Sequence, residues 1–284
     1  MKLATEGLLP ADWHQIDAPT AQRIRRAGFS GISIIFSKPL EADLDDVQRV
    51  KQALDDAGMG VAQANGRYEC LVSPDPGTRA VAIEGLRKSI RIGKVLDATV
   101  VYVRPGSLNP RGHWWPHPEN HSAQTFERLV DSLKQACPLA EAEGAILAIE
   151  GHVLSPLDSP QRVLDLLQAV DSPALKFNMD PVNFVGTVRD AHDTARVINS
   201  LFDVLGSYTI AGHAKDCAVA DEFVVHIDEV VPCTGRLNYD LFLRRFQTTC
   251  PDGYLLIEHL PDDMIAQARA AIAEAAVRLG IPLD

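Results

Sequence analysis

Four side chains in this chain of 284 residues stand where they could share one cation. The apolar run Ala145–Glu150 (AILAIE) finishes on Glu150, and Leu175–Asp180 (LKFNMD) finishes on Asp180. Tyr208–His213 (YTIAGH) ends at His213, and Tyr254–Glu258 (YLLIE) ends at Glu258. Three carboxylates and one imidazole make a hard, oxygen-rich donor set. It suits Mn²⁺ best, with Mg²⁺ or Co²⁺ as substitutes, and differs from the thiolate sets of structural zinc. Four protein ligands leave one or two positions on an octahedral ion. A substrate carbonyl and a neighbouring hydroxyl would fill them as a chelate. A single acid at the end of an apolar run is usually a loop residue, a helix N-cap or half of an ion pair. Four at the ends of successive runs are much harder to produce by accident.

Other candidates flank these four. His152 lies two residues beyond Glu150 and shares its face if the strand continues. It reads as an acid/base, as a partner for a sugar hydroxyl, or as a loop histidine with a structural partner. Lys215 and Asp216 follow His213 directly. They read as a substrate contact and as the acceptor for the second ring proton of a ligand histidine, or else as a surface ion pair. Arg236, in the turn-like TGRLN stretch before a helix expected over Asp240–Phe246, reads as a binder of a substrate oxyanion or as a solvated side chain. Gln63, Asn65 and Arg67, at the end of the run Val61–Asn65, could bind hydroxyls. Asn183 could hydrogen-bond a hydroxyl or carbonyl but cannot titrate near neutrality. A long loop carries Arg104 and then Arg111–His121 (RGHWWPHPENH). Trp114 and Trp115 could close over a sugar and exclude water. Arg104 and Arg111 together could receive a carboxylate. His113, His117 and His121 are spaced as on a helix face, but Pro116 and Pro118 break such a helix. A lid or a subunit contact is therefore expected there, and not a second metal.

The elements that must position these groups repeat from end to end. The remaining apolar runs are Gly31–Phe36, Val61–Asn65 and Thr99–Arg104, with Lys2–Leu8 as a weaker first. Short runs rich in Val, Ile and Leu, without polar alternation, suit a parallel sheet buried on both faces. Helical patterns lie between them. Leu44, Val47, Val50 and Leu54 share one face, as do Val163, Leu164, Leu167 and Val170 after the N-cap signal Ser159–Pro160. Gly28, Gly58 and Gly144 stand where helices should stop. Eight strand–helix units predict a single (β/α)8 barrel over residues 1–284. An open doubly wound sheet is the alternative, but neither GxGxxG nor GxxxxGK occurs. In a barrel the C-terminal ends of neighbouring strands converge on one rim, so the last four runs could surround one point.

Composition sets the outer bounds. The chain is 46% hydrophobic and 23% charged, as in soluble globular proteins. It has no membrane-length apolar run, and its N-terminus lacks the apolar core of a signal peptide. A net charge of −11 argues against a nucleic-acid partner. Five scattered cysteines without a CxxC point to a reduced cytoplasm. No Gly/Ser-rich phosphate nest opens a helix. An acidic barrel of this size is consistent with a homo-oligomer.

The segments Leu147–His152 (LAIEGH), Asn178–Asn183 (NMDPVN), Gly212–Asp216 (GHAKD), Pro232–Tyr239 (PCTGRLNY) and Ile257–His259 (IEH) resemble the xylose-isomerase-like TIM-barrel superfamily, in particular sugar isomerases and ketose 3-epimerases. The resemblance covers the C-terminal half. The N-terminal half matches only in strand–helix rhythm. The resemblance implies that Glu150, Asp180, His213 and Glu258 hold a divalent ion. It also implies that Glu150 and Glu258 approach the substrate carbon from opposite faces. Asn183 is a departure, because many members carry histidine at that point, so a mechanism needing an imidazole there does not transfer.

The chemistry expected is proton transfer beside a ketone through a metal-stabilised enediolate, giving an isomerase or epimerase of a keto-sugar. One glutamate would remove the proton and the other would return one. A lyase on the same barrel is the alternative: a dehydratase, a keto-acid decarboxylase or an enzyme eliminating an aglycone from a keto-glycoside. There His152 would protonate the leaving group and the arginines would receive a carboxylate. A phosphodiester nuclease would need more metals and a basic groove. A non-catalytic sugar-binding barrel would keep the ligands without turnover.

Overall fold

The computed structural model describes residues 1–284. Each apolar run forms a strand: β1 (Lys2–Thr5), β2 (Gly31–Phe36), β3 (Gly60–Gly66), β4 (Val100–Val103), β5 (Leu147–Ile149), β6 (Leu175–Met179) and β7 (Thr209–Ala214). A hairpin of β8 (Asp216–Val219) and β9 (Ile227–Val230) follows, and β10 (Tyr254–Ile257) is the eighth barrel strand. The barrel closes in the order β1-β10-β7-β6-β5-β4-β3-β2, with all neighbours parallel. This is a (β/α)8 barrel, and the open-sheet alternative is excluded. β5, β6, β7 and β10 are consecutive neighbours, so their C-terminal ends share one arc of the rim.

The helices are α1 (Ala18–Arg26), α2 (Leu44–Asp56), α3 (Pro76–Val95), α4 (Ala123–Glu143), α5 (Pro160–Val170), α6 (Val188–His192), α7 (Thr194–Leu205), α8 (Tyr239–Thr249) and α9 (Asp262–Leu279). Apolar periodicity decides which face each buries. In α5 the buried residues are Val163, Leu166, Leu167 and Val170. Leu166 takes the place the sequence reading gave to Leu164, because 163, 166, 167 and 170 form the uninterrupted i, i+3, i+4, i+7 stripe. The Ser159 hydroxyl accepts from the Arg162 N–H at 3.3 Å and caps this helix. α4 stops at Gly144, whose φ of 65° lies in the left-handed region. Each fully buried Leu or Ile between strands and helices stabilises the fold by roughly 1.5–3 kcal/mol.

The barrel interior is a separate, smaller core. Ala4, Ala62, Tyr254 and Leu256 form one cluster, and Val100, Ala148 and Ala211 another. Ala148, Ala211 and Leu256 lie two residues before Glu150, His213 and Glu258, on the same strand faces. Mostly small apolar side chains thus fill the barrel beneath the polar rim.

Two features differ from the sequence reading. The first run ends at Thr5 and not at Leu8: the Gly7 N–H donates to the Thr5 hydroxyl at 3.1 Å, and Leu8 has a φ of 66°. The strand-end side chain is therefore Glu6. The β8–β9 hairpin was not foreseen, because its segments are short and not strongly apolar. Its connection leaves Phe223, Val224 and Val225 exposed. No helix is long and apolar enough to cross a membrane, and all five cysteines are free.

Candidate metal centre

Glu150, Asp180, His213 and Glu258 come together at the C-terminal mouth of the barrel. One ligand atom from each lies within 4.8 Å of the others, and all four residues are buried. The His213 Nδ1 stands 3.1 Å from Glu150 Oε1, 2.9 Å from Glu258 Oε1 and 3.9 Å from Asp180 Oδ2. These are close charge contacts without hydrogen-bond alignment: Glu150 Oε1, Asp180 Oδ2 and His213 Nδ1 have no hydrogen-bond partner, and Asp180 Oδ2 meets Lys215 only as an ion pair. Orphaned buried polar atoms are rare in folded proteins, and three facing one another need a common partner. The donor set fits a hard divalent cation.

The other atoms of these side chains are already fixed. Asp180 caps the short 3-10 turn Pro181–Phe184, with Oδ1 accepting from the Val182 N–H at 3.1 Å. Its other oxygen is left to the centre, so capping the turn leaves this residue free to be a ligand. The Tyr102 O–H donates to Glu150 Oε2, which leaves Oε1 facing inward. His213 Nε2 lies 3.2 Å from Gln63 Oε1. In the neutral imidazole that a cation needs, that contact puts the ring proton on Nε2 and leaves the lone pair on Nδ1. β7 reaches this position only because residue 212 is glycine. A Cβ there would stand 2.8 Å from the Phe246 ring and 3.0 Å from the Met179 carbonyl.

Charge in the cluster is balanced by Lys215. Its Nζ lies 2.8 Å from Asp180 Oδ2, 2.9 Å from Glu258 Oε1 and 3.3 Å from Asn183 Oδ1. Burial pushes the Glu150 and Glu258 carboxyls up. The His213 and Lys215 charges outweigh it and hold Glu150 at about 2 and Glu258 well below the usual carboxylate range. At Asp180 burial wins against the Lys215 charge, and the carboxyl is pushed up to about 7. His213 is driven down by burial but raised further by Glu258 and Glu150, ending well above an ordinary imidazole.

A cavity of about 310 Å³ opens beside the cluster, with Glu258, Tyr102, Arg104 and Trp114 on its walls. Of the expected substrate-binding residues, Asn65, Arg67, Arg104 and Trp114 line this cavity, whereas the others take different places. Lys215 and Asn183 sit inside the cluster. Gln63 orients His213, a role expected of Asp216. The Asp216 carboxylate instead accepts from the backbone N–H groups of Cys217, Gly235 and Leu237, each at 2.8 Å, and organises the segment after β7. Arg236 is exposed and engaged only through its backbone, which donates to Cys217 and accepts from Thr194. His152 accepts the Leu154 N–H on Nδ1 at 3.0 Å, and its ring packs 5.9 Å from that of Trp114. Burial and the Lys215 charge hold this imidazole down, at about 4. Arg111 is not paired with Arg104, because it stacks 3.5 Å over Trp115.

The long loop is pinned by a residue the sequence reading passed over. Asn120 is buried, accepts from the Leu108 N–H at 2.9 Å and donates to the Leu154 carbonyl at 2.7 Å. His113, His117 and His121 reach three different partners: the Tyr68 carbonyl, the Glu119 N–H and Asp158. Other unforeseen groups are Tyr102, Glu6 and His259. Tyr102 lies two residues before Arg104 in an otherwise apolar run, and that period-2 spacing was its signal. His259 follows Glu258 with a φ of 61°, and its ring reaches Glu229 of β9 at 3.1 Å and Glu258 at 3.6 Å.

Comparisons place this geometry among known proteins. A Danio rerio protein, named only provisionally as a hydroxypyruvate isomerase, is 24% identical over 255 residues, covering 84% of each chain. The structure of a D-tagatose 3-epimerase-like protein superposes with a TM-score of 0.76 at 18% identity, covering 99% of this chain and 98% of that one. A xylose isomerase-like TIM-barrel protein from Mycobacterium smegmatis, in complex with magnesium, gives 0.75 at 16% identity, covering 98% and 96%. The sequence profile of the xylose isomerase-like TIM barrel matches residues 21–279, and the chain belongs to that family.

Proposed function

We propose that this chain is a divalent-metal-dependent isomerase or epimerase that moves a proton at the carbon beside a ketone in a small keto-sugar or keto-acid. One observation carries this reading. Three carboxylate oxygens and an imidazole nitrogen converge at the barrel mouth, and one of those carboxylates, Glu258, also forms a wall of the adjoining cavity. The family, and the isomerase and epimerase names among its relatives, support the same class.

When bound, a divalent ion supplies a Lewis acid for the negative charge that develops on the substrate's carbonyl oxygen. Glu258 is the base. It faces the cavity, and His213 and Lys215 keep it ionised despite burial. Glu150 is the second acid/base, with Oε2 fixed by Tyr102. Burial and the Glu150 charge keep the Tyr102 phenol protonated, well above its ordinary range, so it remains a donor. Trp114 lines the cavity, where its ring would shield a bound substrate from water. His152 keeps its proton on Nε2, where it can donate to a substrate hydroxyl.

The test is turnover in deuterated water. Protein loaded with Mn²⁺ or Mg²⁺ is incubated with a panel of ketoses and keto-acids and followed by NMR. Solvent deuterium should enter an isomeric product, only with metal, and roughly 10²–10⁴-fold more slowly in Glu258→Gln. Near-normal rates in both Glu258→Gln and Glu150→Gln would reject the acid/base roles. Loss of water, CO₂ or an aglycone would make the enzyme a lyase.

A further inference from the structure

We propose that Arg104, with Arg67 beside it, receives a carboxylate of the substrate, so that the reacting ketone is a keto-acid and not a neutral ketose. This rests on the proton-transfer reading above and narrows its substrate.

Arg104 is 7% exposed, and what shows of it lines the cavity that Glu258 also lines. Burying a guanidinium is costly unless an anion compensates it. Arg104 has no such anion: no carboxylate oxygen lies within the 4.0 Å of an ion pair. Its two bonds go to neutral acceptors, the Gly66 carbonyl and Asn65 Oδ1. The Tyr68 and Tyr102 rings flank it with centroids 5.9 and 5.6 Å away. A guanidinium has five N–H donors, so three remain beyond those two bonds. Arg67 lines the same cavity, is exposed, and likewise has no ion pair.

The remaining charges on the cavity wall favour an anion. Glu258 belongs to the cation cluster, where its charge is taken up. His113 is held neutral by burial, at about 4. Glu6 alone is left against two arginines, and its carboxylate already accepts from Ser33 at 3.1 Å and Asn65 at 3.2 Å. The wall is therefore cationic opposite the ligand cluster. A planar, forked cation matches a carboxylate through two parallel bonds, which a neutral hydroxymethyl group cannot reproduce.

A 3-hydroxy-2-keto acid would react without any further reagent. Its C3–H bond breaks, with the proton passing to Glu258. A C2–H bond forms from a returned proton, and the C3 hydroxyl proton is transferred to the C2 oxygen. C3 is oxidised to an aldehyde as C2 is reduced to a carbinol, and the carboxylate is unchanged.

Pyruvate and hydroxyacetone test this, since they share a methyl ketone and differ only in carboxylate versus hydroxymethyl. Binding to the Mg²⁺-loaded protein is measured by calorimetry. Pyruvate should bind roughly ten- to hundredfold tighter. Arg104→Gln should remove that preference, bringing pyruvate down to the affinity of hydroxyacetone, Arg104→Lys should keep part of it, and Arg67→Gln should lessen it. Equal binding of the two probes by the unmodified protein overturns the proposal. So does a preference that survives Arg104→Gln, because the carboxylate would then sit on the ion. Should Arg104→Gln unfold, as judged by circular dichroism, Arg67→Gln decides: a reduced preference supports the proposal and an unchanged one overturns it. The reaction itself is read separately. Absence of deuterium exchange on every ketone would overturn the isomerase reading, whereas exchange on neutral ketoses with equal binding of the two probes would overturn only this one.

Discussion

The two arcs of the barrel mouth are built on opposite principles. On the arc of β5, β6, β7 and β10, every strand delivers a side chain directly to one point. On the arc of β1 to β4, polar groups act through one another. Arg104 donates to Asn65, Asn65 and Ser33 donate to Glu6, Gln63 reaches Ser33 at 3.4 Å, and Gln63 also reaches His213. The first arc concentrates negative charge where a cation can compensate it. The second spreads hydrogen bonds around a cavity wall and touches the cluster at two places, Gln63 on His213 and Tyr102 on Glu150. Cation affinity should therefore follow the first arc steeply and the second only through those two contacts.

The sharpest way to break that contrast is Asp180→Asn. The substitution nearly preserves shape and keeps an oxygen able to cap the turn at Val182. It removes a charged ligand, so Mn²⁺ affinity measured by calorimetry should fall by more than the roughly 10–100-fold expected from losing an outer hydrogen-bond partner. An affinity within about tenfold of the original would remove Asp180 from the ligand set.

The same contrast explains what could be read in the sequence. The four candidate ligands were legible because each ends an apolar run, and a strand's end fixes where its last side chain goes. The barrel followed from the rhythm of those runs. The β1–β4 arc was legible only in part: Asn65, Arg67 and Arg104 read as substrate contacts and line the cavity, but a side chain in a relay carries no positional signature. Gln63 read as a binder of hydroxyls and Asp216 as the histidine's acceptor; their exchange depends on distances across the barrel that spacing does not encode. Glu6 was hidden by an apolar run carried past Thr5, since Leu8 and Leu9 extend the pattern while Gly7 turns the chain. Asn120 and the β8–β9 hairpin lie in loops, where no periodicity exists to read.

A smaller effect tests the contact between the arcs. Gln63→Leu removes the acceptor for the His213 Nε2 proton and should weaken Mn²⁺ roughly 10–100-fold. Gln63→Glu restores an acceptor and should recover much of it. Full affinity in Gln63→Leu would mean that the arcs are independent and that the ring is oriented by packing alone.

The finest distinction is in protons. A cation needs the neutral imidazole and the ionised carboxylates. In the metal-free protein the surrounding carboxylates raise His213 well above an ordinary imidazole, so it carries a proton that binding must displace. Burial holds Asp180 up at about 7, so below that pH it carries a second. Two protons leaving for one divalent ion keep the buried charge constant, which is why three carboxylates can share so dry a site. Affinity should therefore rise with pH. The slope should be about tenfold per pH unit where His213 alone is protonated, and steeper below about 7, where Asp180 joins it. Calorimetry in buffers of different ionisation enthalpy counts these protons directly. It should find about two near pH 6 and about one near pH 8. A count of zero at both would mean that the cluster is already ionised without its cation, and that the second arc supplies the missing positive charge.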